Sequence, residues 1–583
     1  MKTTLFLHQT HHTLADFDEI FRTLAMALNE DGLHIFPEMY LTGYPLQDIV
    51  LQKPFLDEYE THLEKLNQWA RSQNAQWRAL VGGLKYDYDK KGVPKKIYNV
   101  IYEIIPGIGI KDIYAKRLLP NYDIFDEQKY FSPGKENTFY QYKEKTFALQ
   151  ICEDMWASSF HDLDPCELMR QESLQKKIRI DAIINLSASP FDVTKKTKRH
   201  ARAKNISLIF GCPFFYVNRV GGEDEILFDG RSFVVSGSTL HLEMKSFEAQ
   251  VKSIILEDIK GDYSQIASWE KENTWENLFN PQINFTSTPG KLVPWGRDEY
   301  EGALEALIFG FQEYANKNGF KKFLVALSGG IDSALVLTIL KLGLRQGQSV
   351  EALYMPSIYS SSVSTNLSES ICKNLGISLS YFPIKFLHST VKNAFFQSFP
   401  DDFSGLTNEN VQSRLRGLIL YTRSNQTGAM VLNTSNKSEL AVGYSTQYGD
   451  SVGALSLLGD LYKTEIYGLA EYINQKYRHP IPEGIISRGP SAELRENQLD
   501  QDSLPPYERL DPMLEGILSF KMGKSELLNL GFNEQEITKV LHLYSKSEYK
   551  RKQFCPILKM KAKSFGFGYR VPISKSLSYQ QLS

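Results

Sequence analysis

Residues 323–343 read FLVALSGGIDSALVLTILKLG, and this stretch decides the fold of the second half of the chain. Residues 323–327 (FLVAL) are a continuous apolar run of strand length. Residues 328–333 (SGGIDS) are a Gly-rich turn, and an apolar helical run follows. A buried strand, a tight turn and a helix in that order are the unit of an α/β sheet with parallel strands. Glycines in such a turn let backbone N–H groups approach an anion, and the following helix N-terminus favours negative charge. The turn lacks the GK[ST] ending of a Walker A loop and does not match the dinucleotide fingerprint G-x-G-x-x-G.

Further strands are expected at 350–355 and 429–433, and a helix at 298–318. In the first half, strand patterns at 33–37, 79–83, 97–105, 113–116, 146–152 and 181–187 alternate with helical patterns at 16–29 and 57–72, which predicts a second α/β domain. From about residue 264 the pattern dissolves into polar, Pro-, Asn- and Thr-containing sequence. The expected organisation is therefore a domain over 1–265, a linker over 266–294 and a domain over 295–583. No internal repeat is visible.

Composition narrows the class. The 583 residues carry 66 basic and 68 acidic side chains, 42% are apolar and 23% charged. Wholesale disorder is excluded, and a near-neutral chain of this kind is no nucleic-acid coat. No apolar run reaches the roughly 18 residues of a membrane span, and the start has no secretory h-region. Five scattered cysteines form neither a disulfide framework nor a C-x-x-C zinc pair. A cytoplasmic protein with no nucleic-acid or membrane partner is expected.

Three reactive side chains close strands in the first half: Glu38 ends LHIFPE, Lys116 ends IYAK and Cys152 ends TFALQIC. Strand ends in an α/β sheet share a rim, so residues distant in sequence can meet there. A thiol gains nucleophilicity when a carboxylate removes its proton, and an ammonium stabilises a tetrahedral oxyanion. Together the three suit acyl transfer on an amide or nitrile. A lone cysteine at the end of an apolar strand is more often inert core, so the trio rather than the thiol carries this reading. The basic run KKTKRHARAK at 195–204 lacks interleaved aromatics and reads as a solvated helix face, with Lys195 the candidate for turning inward. His11 and His12 lack ligand-spaced partners and read as surface residues.

The words FPEMYLTGYP (36–45), KRLLPNYDIFDE (116–127), ICEDMW (151–156), NLSASPF (185–191) and GGEDEILFDGRSF (221–233) resemble the carbon–nitrogen hydrolase (nitrilase) superfamily, and more narrowly the glutaminase domain of the glutamine-dependent NAD synthetases. The resemblance implies an α-β-β-α sandwich. Within it Glu38 is the general base, Lys116 the oxyanion stabiliser and Cys152 the nucleophile that forms a γ-glutamyl thioester. Tyr122, Ser189 and Lys195 are implied as grips for glutamine. One departure is Asp123, where the family usually has glycine.

SGG-x-DS resembles the pyrophosphate loop of the N-type ATP pyrophosphatases. The words ENVQSRLRG (409–417), NTSNKSELAVGYSTQYGD (433–450), LYKTEIYGLA (461–470), PSAELRENQLDQDSLPPYE (490–508) and EYKRKQ (548–553) resemble the synthetase domain of the NAD synthetases. This implies a Rossmann-like doubly wound parallel sheet and amidation of deamido-NAD through an adenylate, releasing AMP and pyrophosphate. By the same match Leu327, Ser328, Gly329, Gly330, Ile331, Asp332, Ser333, Thr434 and Lys463 are expected on ATP and its pyrophosphate. Asn410, Glu439 and Lys550 are expected on deamido-NAD, with Asp332 and Glu439 on Mg²⁺. Arg414 and Arg416 read equally well as surface ion pairs and receive no role. Asn366, where the family often has aspartate, has no mechanistic role either. The resemblance further implies an internal ammonia tunnel and a homo-oligomer. Two rival readings are a glutamine-fed ligase for another carboxylate and a nucleotide-binding protein with decayed sites. The strings around Glu439 and at 490–508 argue against the first. Survival of Glu38, Lys116, Cys152 and SGGIDS together argues against the second.

Overall fold

Central strands buried on both faces, with helices packed over the sheets, assemble this chain into layers. The computed structural model describes residues 2–91, 93–157, 161–263 and 290–576. The chain divides into two units, 1–284 and 285–583. The expected linker falls outside the described residues over 266–289; residues 290–294 carry no helix or strand.

The first unit holds two six-stranded sheets. In one, the order is Gln250–Ile255, Thr4–Gln9, Leu33–Ile35, Arg78–Tyr88, Pro94–Ile105, Gly109–Ala115. In the other it is Thr239–Glu243, Phe233–Ser236, Phe214–Asn218, Ala182–Ser187, Lys145–Ile151, Phe139–Tyr142. The central strands of each are parallel and the flanks antiparallel. Leu5, Leu7, Leu33, Ile35 and Leu80 of the first sheet pack with Phe147, Leu149, Ile184, Leu186 and Val217 of the second, so the sheets lie face to face. The outer face of the first sheet is covered by helices Phe17–Ala27 and Lys53–Ser72. The outer face of the second is covered by Pro165–Gln175 and Lys195–Phe210. This is the α-β-β-α sandwich. Asp16 fixes the start of the first helix by accepting the Glu19 N–H at 3.1 Å.

The second unit is built on five parallel strands ordered Ser378–Tyr381, Ser349–Tyr354, Lys322–Leu327, Met430–Asn433, Leu455–Ser456. The strand order reverses between Lys322–Leu327 and Met430–Asn433, and a doubly wound sheet binds ligands outside the strand ends at that point. Helix Ile331–Gly343 is apolar around most of its circumference and buries most of its residues, as a helix packed within a layered core must. A cluster of short helices, including Tyr507–Ser519 and Glu534–Lys546, caps the unit at residues 440–442.

Two sequence expectations are corrected. Helix Lys195–Phe210 is not a solvated basic face, because Arg199 and Arg202 are each 1% exposed. Positions 195, 199, 202 and 206 recur at helical spacing, so the arginines share the inward stripe with Ile206. His12 is also buried, with its ring edge-on to Tyr40 at 5.0 Å, while His11 is exposed as expected.

Candidate active sites

In the first unit Glu38 follows strand Leu33–Ile35 on a loop strapped to the neighbouring strand. The Phe36 N–H donates to Leu80 O at 2.9 Å, the Gly82 N–H to Pro37 O at 3.2 Å, and the Leu41 N–H to Gly82 O at 3.0 Å. A Cβ on Gly82 would stand 2.3 Å from Met39 N and 2.5 Å from Pro37 O. Glycine is therefore what lets this loop lie against the strand. Lys116 follows Gly109–Ala115 directly, and Cys152 follows Lys145–Ile151 at φ 41°, opening a 3₁₀ turn. That positive φ at a non-glycine residue is a strained turn of the kind that presents nucleophiles.

Two of the expected trio touch, and their charges act on the third. Lys116 Nζ donates to Glu38 Oε1 at 2.7 Å, and both side chains are 1% exposed. Asn99 Nδ2 donates to the same oxygen at 2.8 Å, and the Ala188 N–H donates to Glu38 Oε2 at 2.8 Å. Burial, then the nearby Glu38 carboxylate, push the Cys152 thiol well above its usual range, against the pull of Lys116.

Two carboxylates escaped the sequence reading. Glu127 Oε1 accepts from Lys116 Nζ at 2.8 Å and from Tyr44 OH at 2.8 Å. Burial, opposed by Lys116 and aided by Glu38, raises Glu127 to about 7. Glu153, beside the nucleophile, accepts from Tyr122 OH at 3.0 and 3.1 Å, and burial raises it to about 7 against Lys116 and Tyr122. Both close words quoted above, KRLLPNYDIFDE and the start of ICEDMW, so proximity to a nominated residue was the available signal. Lys195 is lowered to about 8 by burial and by Arg199, against the neighbouring Cys152, Asp192 and Glu153.

Ser189 is fixed rather than free. Arg199 Nη2 donates to its carbonyl at 2.9 Å and to its hydroxyl at 3.3 Å, and Arg199 Nη1 pairs with Asp229 at 2.8 and 3.0 Å. Arg202 donates to Met155 O, at the end of the Cys152 turn. The inward arginines of the basic run thus brace both loops that flank the thiol. Asp123 sits at φ 52°, the left-handed conformation for which glycine is the natural occupant.

In the second unit a cleft of about 250 Å³ opens at the switch point, lined by Leu327, Ser328, Gly330, Ile331, Asp332, Ser333, Thr434, Glu439 and Lys463 among others. Within the turn the Ser328 N–H donates to Ser333 Oγ at 3.2 Å and the Gly330 N–H to Ser328 Oγ at 3.2 Å. Gly329 adopts φ +80°, and a Cβ there would meet Ser364 O at 2.6 Å. Lys463 Nζ bridges Asp332 Oδ2 at 2.5 Å and Glu439 Oε1 at 3.3 Å. Asn436 ties the same two residues from the other side: its Nδ2 donates to Asp332 Oδ1 at 3.0 Å, and its Oδ1 accepts the Glu439 N–H at 2.9 Å.

Charge here is unbalanced. Burial raises Glu439 to about 8, opposed by Lys463 and aided by Asp332, Asp500 and Asp450. Burial works against the Lys463 charge, yet Asp332 and Glu439 hold its pKa well above the usual lysine range. Asp332, Glu439, Asp500 and Asp450 thus surround a single ammonium. Among the described residues, no three His, Cys, Asp or Glu side chains stand together as a ready metal cage.

Asn410 and Lys550 do not line this cleft. Asn410 Oδ1 accepts from Thr446 Oγ1 at 2.7 Å, and Lys550 Nζ donates to the carbonyls of Gly443 and Ser445 at 2.7 and 2.6 Å. The two converge on the 443–446 loop, which follows the helix Lys437–Val442 that carries Glu439. Arg416, given no role from the sequence, lines the cleft, with its Nε on Met355 O at 3.0 Å. Arg414 is exposed and donates through Nε to Gln447 O at 3.2 Å rather than to an acid. Asn366 is exposed on helix Ser362–Leu375.

Comparison with known proteins follows the same division. The carbon–nitrogen hydrolase family model matches residues 7–239 and the NAD synthase model residues 303–554. A glutamine-dependent NAD(+) synthetase of Synechocystis is 33% identical over 98% of both chains. One of Thermotoga maritima is 36% identical, covering 97% of this chain and 98% of that one. The solved structure of glutamine-dependent NAD+ synthetase from Acinetobacter baumannii in complex with ADP superposes with a TM-score of 0.70 at 27% identity, covering 98% of both chains. That from Cytophaga hutchinsonii gives a TM-score of 0.75 at 18% identity, covering 100% and 99%, and supports the fold.

Proposed function

Because this chain belongs to the glutamine-dependent NAD(+) synthetase family, we propose that its first unit releases ammonia from glutamine and its second uses that ammonia to convert deamido-NAD into NAD. The observation that carries the first step is the buried Glu38–Lys116 pair on the rim that also holds the buried Cys152 thiol.

Glu38 takes the Sγ proton as sulfur attacks the carboxamide carbon of glutamine. The tetrahedral oxyanion forms beside the Lys116 ammonium. Collapse returns the proton from Glu38 to the leaving nitrogen, giving ammonia and a thioester. Water, deprotonated by Glu38, then cleaves the thioester to glutamate and thiol. Glu153, a buried carboxylate made costly by its surroundings, is placed to receive the α-ammonium of glutamine, with Tyr122 beside it and Lys195 toward the α-carboxylate.

In the second unit the deamido-NAD carboxylate attacks the α-phosphorus of ATP, and pyrophosphate leaves toward the Ser328–Ser333 turn and the N-terminus of Ile331–Gly343. Ammonia attacks the resulting acyl adenylate and AMP departs. Lys463 carries positive charge to the phosphates. Asp332 and Glu439 would hold Mg²⁺ together with phosphate oxygens, and the bound ion supplies Lewis-acid charge at those oxygens. Asn410 and Lys550 act on deamido-NAD by shaping the 443–446 loop.

A homo-oligomer is supported by helix Lys385–Ser398 and its C-terminal neighbour Phe399, which leave Phe386, Phe395, Phe396 and Phe399 between 42% and 73% exposed. Apolar patches of this kind mark association surfaces. Five free thiols suit the reducing cytoplasm, and no described helix is long and apolar enough to cross a membrane. The test is stoichiometry: with deamido-NAD, ATP–Mg²⁺ and ammonium, NAD, AMP and pyrophosphate form in equal amounts. Formation of ADP and phosphate instead would overturn the adenylate route.

A further inference from the structure

Two cations of the synthetase cleft already hold carboxylates. Lys463 is shared by Asp332 and Glu439, while Arg488 pairs with Glu493 at 2.7 Å. ATP brings about four negative charges, for which Lys463, a helix N-terminus and a bound Mg²⁺ act at the end near the Ser328–Ser333 turn. Charge for the far end of the triphosphate has to come from somewhere else in the cleft.

Glu493 lies where it would be needed. Its Oε1 accepts from Ser361 Oγ at 2.9 Å, Ser364 Oγ at 2.7 Å and Arg488 Nη2 at 2.7 Å. Its Oε2 faces the Ser361 N–H at 3.4 Å. Ser361 caps the 14-residue helix Ser362–Leu375, accepting the Ser364 N–H at 3.1 Å. Arg488 Nη1 reaches Ser364 Oγ at 2.6 Å. Two hydroxyls, an amide and a guanidinium converging on one oxyanion are a phosphate-binding donor set.

This donor set belongs to the ATP cleft. Ser364, Arg488 and Glu493 line the same cavity as Ser328, Gly330 and Asp332, and Ser364 O is the atom against which Gly329 packs. The chain reaches the pocket under strain, with Glu493 at φ 48°. Ser364, Arg488 and Ser361 hold the Glu493 carboxyl below its usual range despite its burial, so the occupant is an anion. Arg416, whose guanidinium is buried in the same cleft, feels Glu493 more than any other charge.

We propose that Ser361, Ser364 and Arg488 form an oxyanion pocket for the terminal phosphates of ATP, occupied in the free enzyme by the Glu493 carboxylate, which a phosphate group displaces. This rests on the reading of the cleft as an ATP site and adds a subsite and an internal competitor to it. Displacement frees Arg488 for the triphosphate, and departure of pyrophosphate lets Glu493 return.

The experiment is calorimetric titration of inorganic pyrophosphate, with Mg²⁺, into the full chain and its variants. A competitor that holds the pocket four-fifths to nine-tenths of the time weakens apparent affinity by about five- to tenfold. Glu493→Gln should therefore bind pyrophosphate about five- to tenfold more tightly than the parent, and adding Arg488→Ala should abolish the gain. Ser364→Ala gives an independent arm and should weaken pyrophosphate in either background. Unchanged or weaker binding by Glu493→Gln would overturn the proposal, as would a gain that survives Arg488→Ala or a parent that binds no pyrophosphate. NAD formation is assayed separately. A parent that makes no NAD refutes the functional reading whatever the titration shows, whereas the titration can refute the subsite in an enzyme that turns over.

Discussion

Lys116 donates to Glu127 at 2.8 Å while donating to Glu38 at 2.7 Å, so one buried ammonium serves two carboxylates. A lysine held by Glu38 alone would draw that carboxylate's charge to itself and weaken it as a base. Sharing the ammonium with Glu127 leaves Glu38 able to take the thiol proton. Glu127→Gln should then lower glutamine-driven kcat by about tenfold or more, within the range of general-base effects. The glutamine KM should change little and ammonium-driven synthesis not at all. Steady-state kinetics with both nitrogen sources checks this.

The glutaminase half should have a narrow pH range. Glu153 ionises as pH rises through about 7, and Lys195 loses its charge through about 8. Both are charged between those values. With glutamine, kcat/KM should climb through 7 and fall above 8. Glu153→Gln should remove the acidic limb, which a pH profile of the variant measures.

Two glycines separate the sites by mutation. Gly82→Ala drives a Cβ into the backbone of residues 37–39 and displaces Glu38, so glutamine-driven synthesis should fall at least tenfold with ammonium-driven synthesis retained. Gly329→Ala places a Cβ at φ +80° against Ser364 O and should stop synthesis from either source. In that variant glutamate release from glutamine reports the surviving first site.

Asp123 offers a test of loop geometry. At φ 52° a β-branched side chain is disfavoured by about 1–2 kcal/mol. Asp123→Val should raise the glutamine KM, because Tyr122 next to it carries the contact to Glu153. Asp123→Gly should leave KM within about twofold of the parent, since glycine adopts this conformation freely. Initial-rate measurements across glutamine concentrations distinguish the two.

Much of this was legible in the sequence because its signals are local. Glu38, Lys116 and Cys152 each end a strand, and strand ends share a rim whatever their separation. The SGGIDS turn declares itself between an apolar strand and an apolar helix. What could not be read depends on the third dimension. Glu127 matters through a lysine 11 positions away that folds onto it. Arg199 and Arg202 turn inward because their helix lies on the second sheet, a fact absent from the composition of KKTKRHARAK. Arg416 enters a cleft because Gly405–Thr427 packs beside the strand ends. Asn410 and Lys550 meet on the 443–446 loop from positions 140 apart.

The central claim is a division of labour between two sites, and the Cys152→Ala variant addresses it most directly. NAD formation from deamido-NAD and ATP–Mg²⁺ is to be measured with glutamine and with ammonium as nitrogen source. The account predicts loss of the glutamine-driven reaction and ammonium-driven turnover close to that of the parent. Loss of both in a folded variant, or survival of the glutamine-driven reaction, would contradict it.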